Sequence, residues 1–199
     1  MTKQSNLEPK KKKVPRKITA KSLENAALYY LGRYSSSSEN FRRVMTRRVN
    51  RSVQYHNTNP AEGLQIIDRL IEKFTKIGLL NDLRFAEAST ANFRRLGLSE
   101  RMIRAKLVQK GLSSAVINQS FQLLKSNNLD SELTASIIFS RRRRIGAFRG
   151  SKNKRQKFYD QDMARLARAG FSYYIAQKVI GIENREELEQ MVDNNTFDP

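Results

Sequence analysis

The side chains on this chain that could do chemistry are overwhelmingly cationic. Of its 199 residues, 38 are Lys or Arg against 19 Asp or Glu, a formal net charge of +19. The densest run is Arg141, Arg142, Arg143 and Arg144, and it continues through Arg149 to Lys157 without an acid. A second cluster, Arg94, Arg95, Arg101, Arg104, Lys106 and Lys110, falls within two helix lengths. Guanidinium groups hold phosphates and carboxylates through paired, directional hydrogen bonds. The pattern therefore calls for a polyanionic partner: nucleic acid, an anionic membrane surface or an acidic protein. Phe148 lies within the run and Phe158 directly after it, and Tyr173 and Tyr174 follow. Tyr173 and Tyr174 either stack on bases or serve as packing residues at helical spacing.

Other chemistries find little support. The single histidine, His56, stands in a polar stretch with no cysteine in the chain and no cluster of carboxylates beside it, so it reads as a solvated loop residue rather than a metal ligand or general base. No serine or lysine sits in a nucleophile elbow or phosphate loop, and Gly78, Gly97, Gly111, Gly146, Gly170 and Gly181 read as turns. The expectation is a protein with no active site, no metal and no cofactor. The lack of cysteine fits a reducing compartment, and no apolar run is long enough for a membrane span or a signal-peptide core. A cytoplasmic monomer without membrane contact is expected.

These cations are positioned by helices. Between Gly78 and Phe121, glycines at 78, 97 and 111 cut three helix-length segments, and Asn81 or Asp82, Ser99 and Ser113 stand ready to cap the next helix. Phe85, Ala88, Phe93 and Leu96, then Ile103 and Leu107, then Val116, Phe121 and Leu124 recur at helical intervals. The unit recurs downstream. A shift of 49 lays Arg94-Arg95-Leu96-Gly97 on Arg143-Arg144-Ile145-Gly146, and a shift of 59 lays Gly111-Leu112-Ser113 on Gly170-Phe171-Ser172 and Val116 on Ile175. The change of shift places an insertion just after Gly146, where the basic run lies.

Upstream, Met1 to Lys17 is basic and nearly free of bulky apolar residues, and is expected to be disordered, as a phosphate-binding tail or a solubilising extension. Two helices then follow, with faces Ala27, Tyr30, Leu31, Tyr34 and Phe41, Val44, Met45, Val49; Ser36 and Glu39 form a candidate capping box. A polar loop from Asn50 to Asn59 precedes a third helix bearing Leu64, Ile67, Ile71, Phe74 and Ile77. The expected organisation is a basic arm at 1–18, three-helix units at 19–78, 79–128 and 129–183, a basic loop at 145–157, and an acidic helix and tail at 184–199. The third unit is expected to begin near Asp130. The fold class is all-α, with tandem three-helix repeats forming an elongated, curved array.

Four stretches carry a family resemblance: Ala27 to Tyr34, Gly78 to Ala86, Ile103 to Gly111, and Arg141 to Arg149 followed by Arg168-Ala-Gly-Phe171. In this order and spacing, covering roughly residues 20 to 182, the chain resembles the RecX family of RecA regulators. One departure is Asn81, where the family commonly has the first of two acids; either residue caps a helix. The resemblance implies tandem three-helix repeats. It also implies a non-enzymatic regulator of recombination and the SOS response that binds the groove of the RecA–DNA filament and inhibits ATPase, strand exchange and filament growth. The candidate contacts, with the filament or with single- or double-stranded DNA, are Arg94, Arg95, Arg101, Arg104, Arg141, Arg142, Arg143, Arg144 and Arg149. The alternative is a transcription regulator with a helix-turn-helix at Ser99 to Leu124, though its second helix carries Asn118, Gln119 and Gln122 and is poor in bases.

Overall fold

The computed structural model describes residues 14–126 and 131–193. Lys3 and Lys10 to Lys13 of the basic arm, the expected unit start at Asp130 and the tail after Asp193 lie outside them. The described chain is all-α, with no strand. Its helices are α1 (Ala20–Leu31), α2 (Ser38–His56), α3 (Pro60–Lys76), α4 (Asp82–Arg95), α5 (Glu100–Gln109), α6 (Ser114–Ser126) and α7 (Glu132–Arg143). After a 3-10 turn at Gly146–Phe148 come α8 (Lys152–Lys157), α9 (Tyr159–Arg168), α10 (Tyr173–Gly181) and α11 (Arg185–Asp193). The chain packs as two compact units. One comprises the residues up to Ser35 with Phe41–Leu79, the other Ser36–Asn40 with the residues from Leu80 onward.

In the first unit, Thr19 and Ser22 close a reciprocal capping box at the start of α1, and Asn59 with Pro60 starts α3. Leu23, Ala27, Phe41, Met45, Val49, Ile67, Leu70 and Phe74 are buried, with Phe41 and Phe74 meeting edge to face at 6.0 Å. The expected loop from Asn50 to Asn59 is a correction: α2 continues through His56 and only residues 57–59 connect it to α3. Its inward stripe passes from Val49 to Ser52, a fully buried serine whose hydroxyl accepts the Ile18 amide, and ends at His56, whose Nε2 lies 2.6 Å from the Pro15 carbonyl. Polar residues keep the helical period because each finds a backbone partner. His56 is accordingly a half-buried helix terminus rather than a solvated loop residue.

The second unit holds three apolar clusters. Ala86, Ile103, Leu107, Leu112, Ile117 and Phe121 join α4, α5 and α6. Ala135, Leu166, Phe171 and Ala176 join α7, α9 and α10, while Ile137, Ile138, Ala147, Val179, Leu188 and Val192 seat α11 on α7. The acidic helix expected within 184–199 spans Arg185–Asp193 and supplies Leu188 and Val192 to this core. Helix starts follow the expected chemistry: Asn81, Ser99, Ser131 and Ser172 each accept an amide of the first turn. At the start of α2 the Ser37 hydroxyl accepts the Asn40 amide, while the Ser38 amide goes to Asp82. The stretch 145–157, expected to be a loop, contains the 3-10 turn and α8, the latter capped by Ser151.

Two glycines separate conformation from crowding. Gly78 and Gly97 both have left-handed backbones, at φ +74 and +81. A Cβ at Gly78 would meet nothing within 4 Å, whereas at Gly97 it would lie 2.8 Å from the Phe139 amide nitrogen and 3.0 Å from the Ala135 carbonyl oxygen. Backbone on α7 cannot step aside as a side-chain tip can. Gly78→Ala should therefore cost only the left-handed penalty of about 1–2 kcal/mol, and Gly97→Ala should cost about 1–3 kcal/mol more. Denaturant unfolding of the two variants measures the difference directly.

Candidate polyanion-binding surface

The nine candidate arginines divide into two populations. Arg94 sits on the inward stripe of α4, below Ala86 and Thr90, and is 5% exposed. Its guanidinium donates to the Leu98 carbonyl at 3.1 Å and to a Glu132 carboxylate oxygen at 2.5 Å. The same carboxylate accepts the Glu100 amide at 3.2 Å. Glu132 at the first turn of α7 thereby binds the end of α4 and the start of α5. Thr90, on the same stripe, bonds Ser120 of α6 at 3.0 Å. The expected stripe of Phe85, Ala88, Phe93 and Leu96 is rotated, leaving Phe85 and Phe93 partly buried and Leu96 exposed.

Arg149 is likewise committed. Its Nε and one Nη donate to the two oxygens of Asp162 at 2.7 and 2.6 Å, and the Gly146 amide donates to one of those oxygens at 3.1 Å. Asp162 has no exposed surface. Hydrogen bonding to this carboxylate raises the Arg149 pKa, with burial opposing the rise. A raised cationic pKa means that the stabilisation is complete below the ordinary arginine value and is lost only as pH climbs past the raised one. The guanidinium therefore stays charged over any working pH. The guanidinium also lies 4.5 Å from the Phe158 ring centre, so this ring serves a structural cation.

The other population faces outward. Arg95, Arg101 and Arg141 to Arg144 are exposed, and Arg104 is half-buried. Arg104 stacks 4.6 Å from the Phe121 ring centre and bonds Glu100 and Asn118, which fixes its position. At the end of α7, Arg142 donates to the Leu96 carbonyl at 2.8 Å, Arg143 lies over Phe139, and Arg144 takes the left-handed conformation that stops the helix. Arg142 and Arg143 share a cleft of about 600 Å³ with Lys106 of α5. Its apolar lining includes Phe93, Leu96, Leu98, Met102 and Phe139. A second groove is lined by Arg94, Glu100, Arg101, Arg104, Lys125, Glu132, Gly170 and Ser172.

The structural carboxylates Glu132 and Asp162 escape a reading of the sequence alone. A signal exists for the latter, because Asp160 and Asp162 are the first acids after the basic run. Tyr173 and Tyr174 do not pack, being 71% and 69% exposed. Among the described residues no three His, Cys, Asp or Glu gather where a metal could bind, and no helix is long and apolar enough to cross a membrane. The outward face of α6 shows Asn118, Gln119 and Gln122. Asn118 is already bonded by Arg104, which leaves little for a recognition helix. What the surface offers is cationic hydrogen-bond donors set beside apolar clefts.

Three curated proteins are similar to the chain, each bearing the name regulatory protein RecX. That of Myxococcus xanthus (strain DK1622) is 39% identical over 168 residues, 84% of this chain and 89% of the relative. That of Agrobacterium fabrum is 26% identical over 169 residues, 85% and 87% of the two chains. That of Thermobifida fusca is 29% identical over 126 residues, 63% of each. No family model matches the chain, and no solved structure matches it significantly.

The two populations should separate under mutation. Arg94→Met leaves Glu132 without its cation, at a cost of about 3 kcal/mol, the low end for broken buried pairs because part of Glu132 is open to water. Arg95→Met, on the surface one residue on, should change stability by no more than about 0.5 kcal/mol. Equilibrium denaturation at fixed pH checks both.

Proposed function

The chain belongs to the RecX family, and on that footing we propose that it is a non-enzymatic modulator lying in the groove of the RecA–DNA filament. It bridges adjacent protomers and so restrains ATP hydrolysis, strand exchange and filament growth, regulating recombination and the SOS response from the cytoplasm. The identity of the target and the inhibitory sign rest on the family resemblance. The observation that carries the reading at residue level is the outward population of arginines. With Arg94 and Arg149 engaged by internal carboxylates, the contacts fall to Arg95, Arg101 and Arg141 to Arg144, with Arg104 held in place beside them. Arg142 and Arg143, with Lys106 across an apolar cleft, are suited to a mixed target of acidic protein surface and phosphate.

The proposed tandem units at 19–78, 79–128 and 129–183 give a physical reason for preferring a filament. Successive units meet equivalent sites on successive protomers, so each contact after the first forms at a raised effective concentration. The chain should therefore bind preformed RecA filaments on single-stranded DNA far better than it binds free RecA, and should saturate below one copy per RecA in co-sedimentation.

Replacing Arg141, Arg142, Arg143 and Arg144 together by Ala tests the phosphate contribution. Binding should weaken and its salt dependence flatten, by a logarithmic slope of about 0.7 for each single-strand phosphate that the variant no longer neutralises. Weaker binding at an unchanged slope would assign the four arginines to protein carboxylates instead. A footprint at one defined duplex site would contradict the proposal itself.

A further inference from the structure

We infer that Tyr173 and Tyr174 form a stacking platform for the unpaired bases of single-stranded nucleic acid, next to the groove that carries Arg101. The inference does not depend on the filament reading, because it concerns the bare strand. The two rings open α10 and are 71% and 69% exposed. Neither makes a ring contact or a side-chain hydrogen bond among the described residues.

The matching helix upstream shows what the fold needs there. Under the shift of 59, Tyr173 and Tyr174 correspond to Ser114 and Ala115, the first residues of α6. Neighbouring positions keep their roles. Ser113 and Ser172 each accept the amide three residues on, at 3.3 Å. Val116 and Ile175 are both half-buried, and Ile117 and Ala176 are both buried. The helix starts equally well with a serine and an alanine, so the tyrosines add nothing to the packing of their own helix. Two adjacent aromatic rings left in water require another use.

Their surroundings select the ligand. Gly170, at φ +95, lets the turn before α10 lie against the start of α5; a Cβ there would fall 2.6 Å from the Ser99 hydroxyl and 3.2 Å from Arg101 Nε. Ser99 also donates to the Ala169 carbonyl at 2.6 Å, which locks the turn in place. Arg101 is exposed, has no ion pair among the described residues, and lines the groove whose other wall is Gly170 and Ser172. Exposed aromatic rings that follow directly on the wall of a groove lined by an unpaired guanidinium match a strand whose bases stack while its phosphates meet the cation. Duplex bases are already stacked on one another and cannot use the platform.

Fluorescence anisotropy with three labelled probes tests this: an oligothymidylate, an abasic strand of equal length, and a duplex. The variant Tyr173→Ser with Tyr174→Ala installs the residues of α6. Its affinity for the oligothymidylate should fall between about fivefold and a hundredfold, with the salt slope unchanged because no charge is removed. Affinity for the abasic strand and the duplex should stay as in the parent, and Tyr173→Phe with Tyr174→Phe should restore oligothymidylate binding. The inference is overturned by an unaltered oligothymidylate affinity or by equal losses on all three probes. It is equally overturned if binding to RecA-coated strands disappears while bare-strand affinity is kept, which would make the rings a protein contact.

Discussion

The Glu132 carboxylate is the constraint on which the cationic surface depends. It takes the Arg94 guanidinium and the Glu100 amide together, and so sets the end of α4, the start of α5 and the start of α7 at one point. Asp162 does the same for the Gly146 amide and Arg149. Buried pairs of this kind add little net stability over apolar packing, but breaking one is costly, so they act more on register than on total energy. In a chain of net charge +19 they have a further consequence. Each internal carboxylate holds an arginine that would otherwise join the cationic surface.

Hydroxyls do comparable work between elements. Ser99 caps α5 and also donates to the Ala169 carbonyl of the α9–α10 turn. Ser52 accepts the Ile18 amide in the first unit, and Thr90 meets Ser120 across α4 and α6. Chains this polar cannot fill every inward position with hydrocarbon. They fill some with short polar side chains that have backbone or hydroxyl partners, which avoids the cost of an unsatisfied buried group. Glycines then set the closeness of approach, most tightly where Gly97 meets the α7 backbone.

Much of this was legible in the sequence, and the failures share one cause. Helix starts at Asn81, Ser99 and Ser172 and the breaks at Gly78, Gly97 and Gly111 could be read because capping and left-handed turns are local chemistry. The extension of α2 through Asn50 to His56 was hidden, and so was the rotation of α4 that buries Thr90 and Arg94. At these places a polar residue occupies an inward position because of a partner far along the chain, and periodicity of apolar residues cannot register such a partner. The same blindness hid the internal carboxylate partners of Arg94 and Arg149. The outward setting of Arg141 to Arg144, by contrast, follows from a run too dense in charge to be buried.

The central claim is that this chain acts on the RecA filament itself. Its most direct test is the steady-state ATPase rate of RecA on single-stranded DNA, titrated with the protein well below one copy per RecA while DNA is in excess. The expected result is a progressive fall in rate, since competition for bare DNA cannot account for inhibition under those conditions. An unchanged rate, together with tight binding to bare duplex, would contradict it.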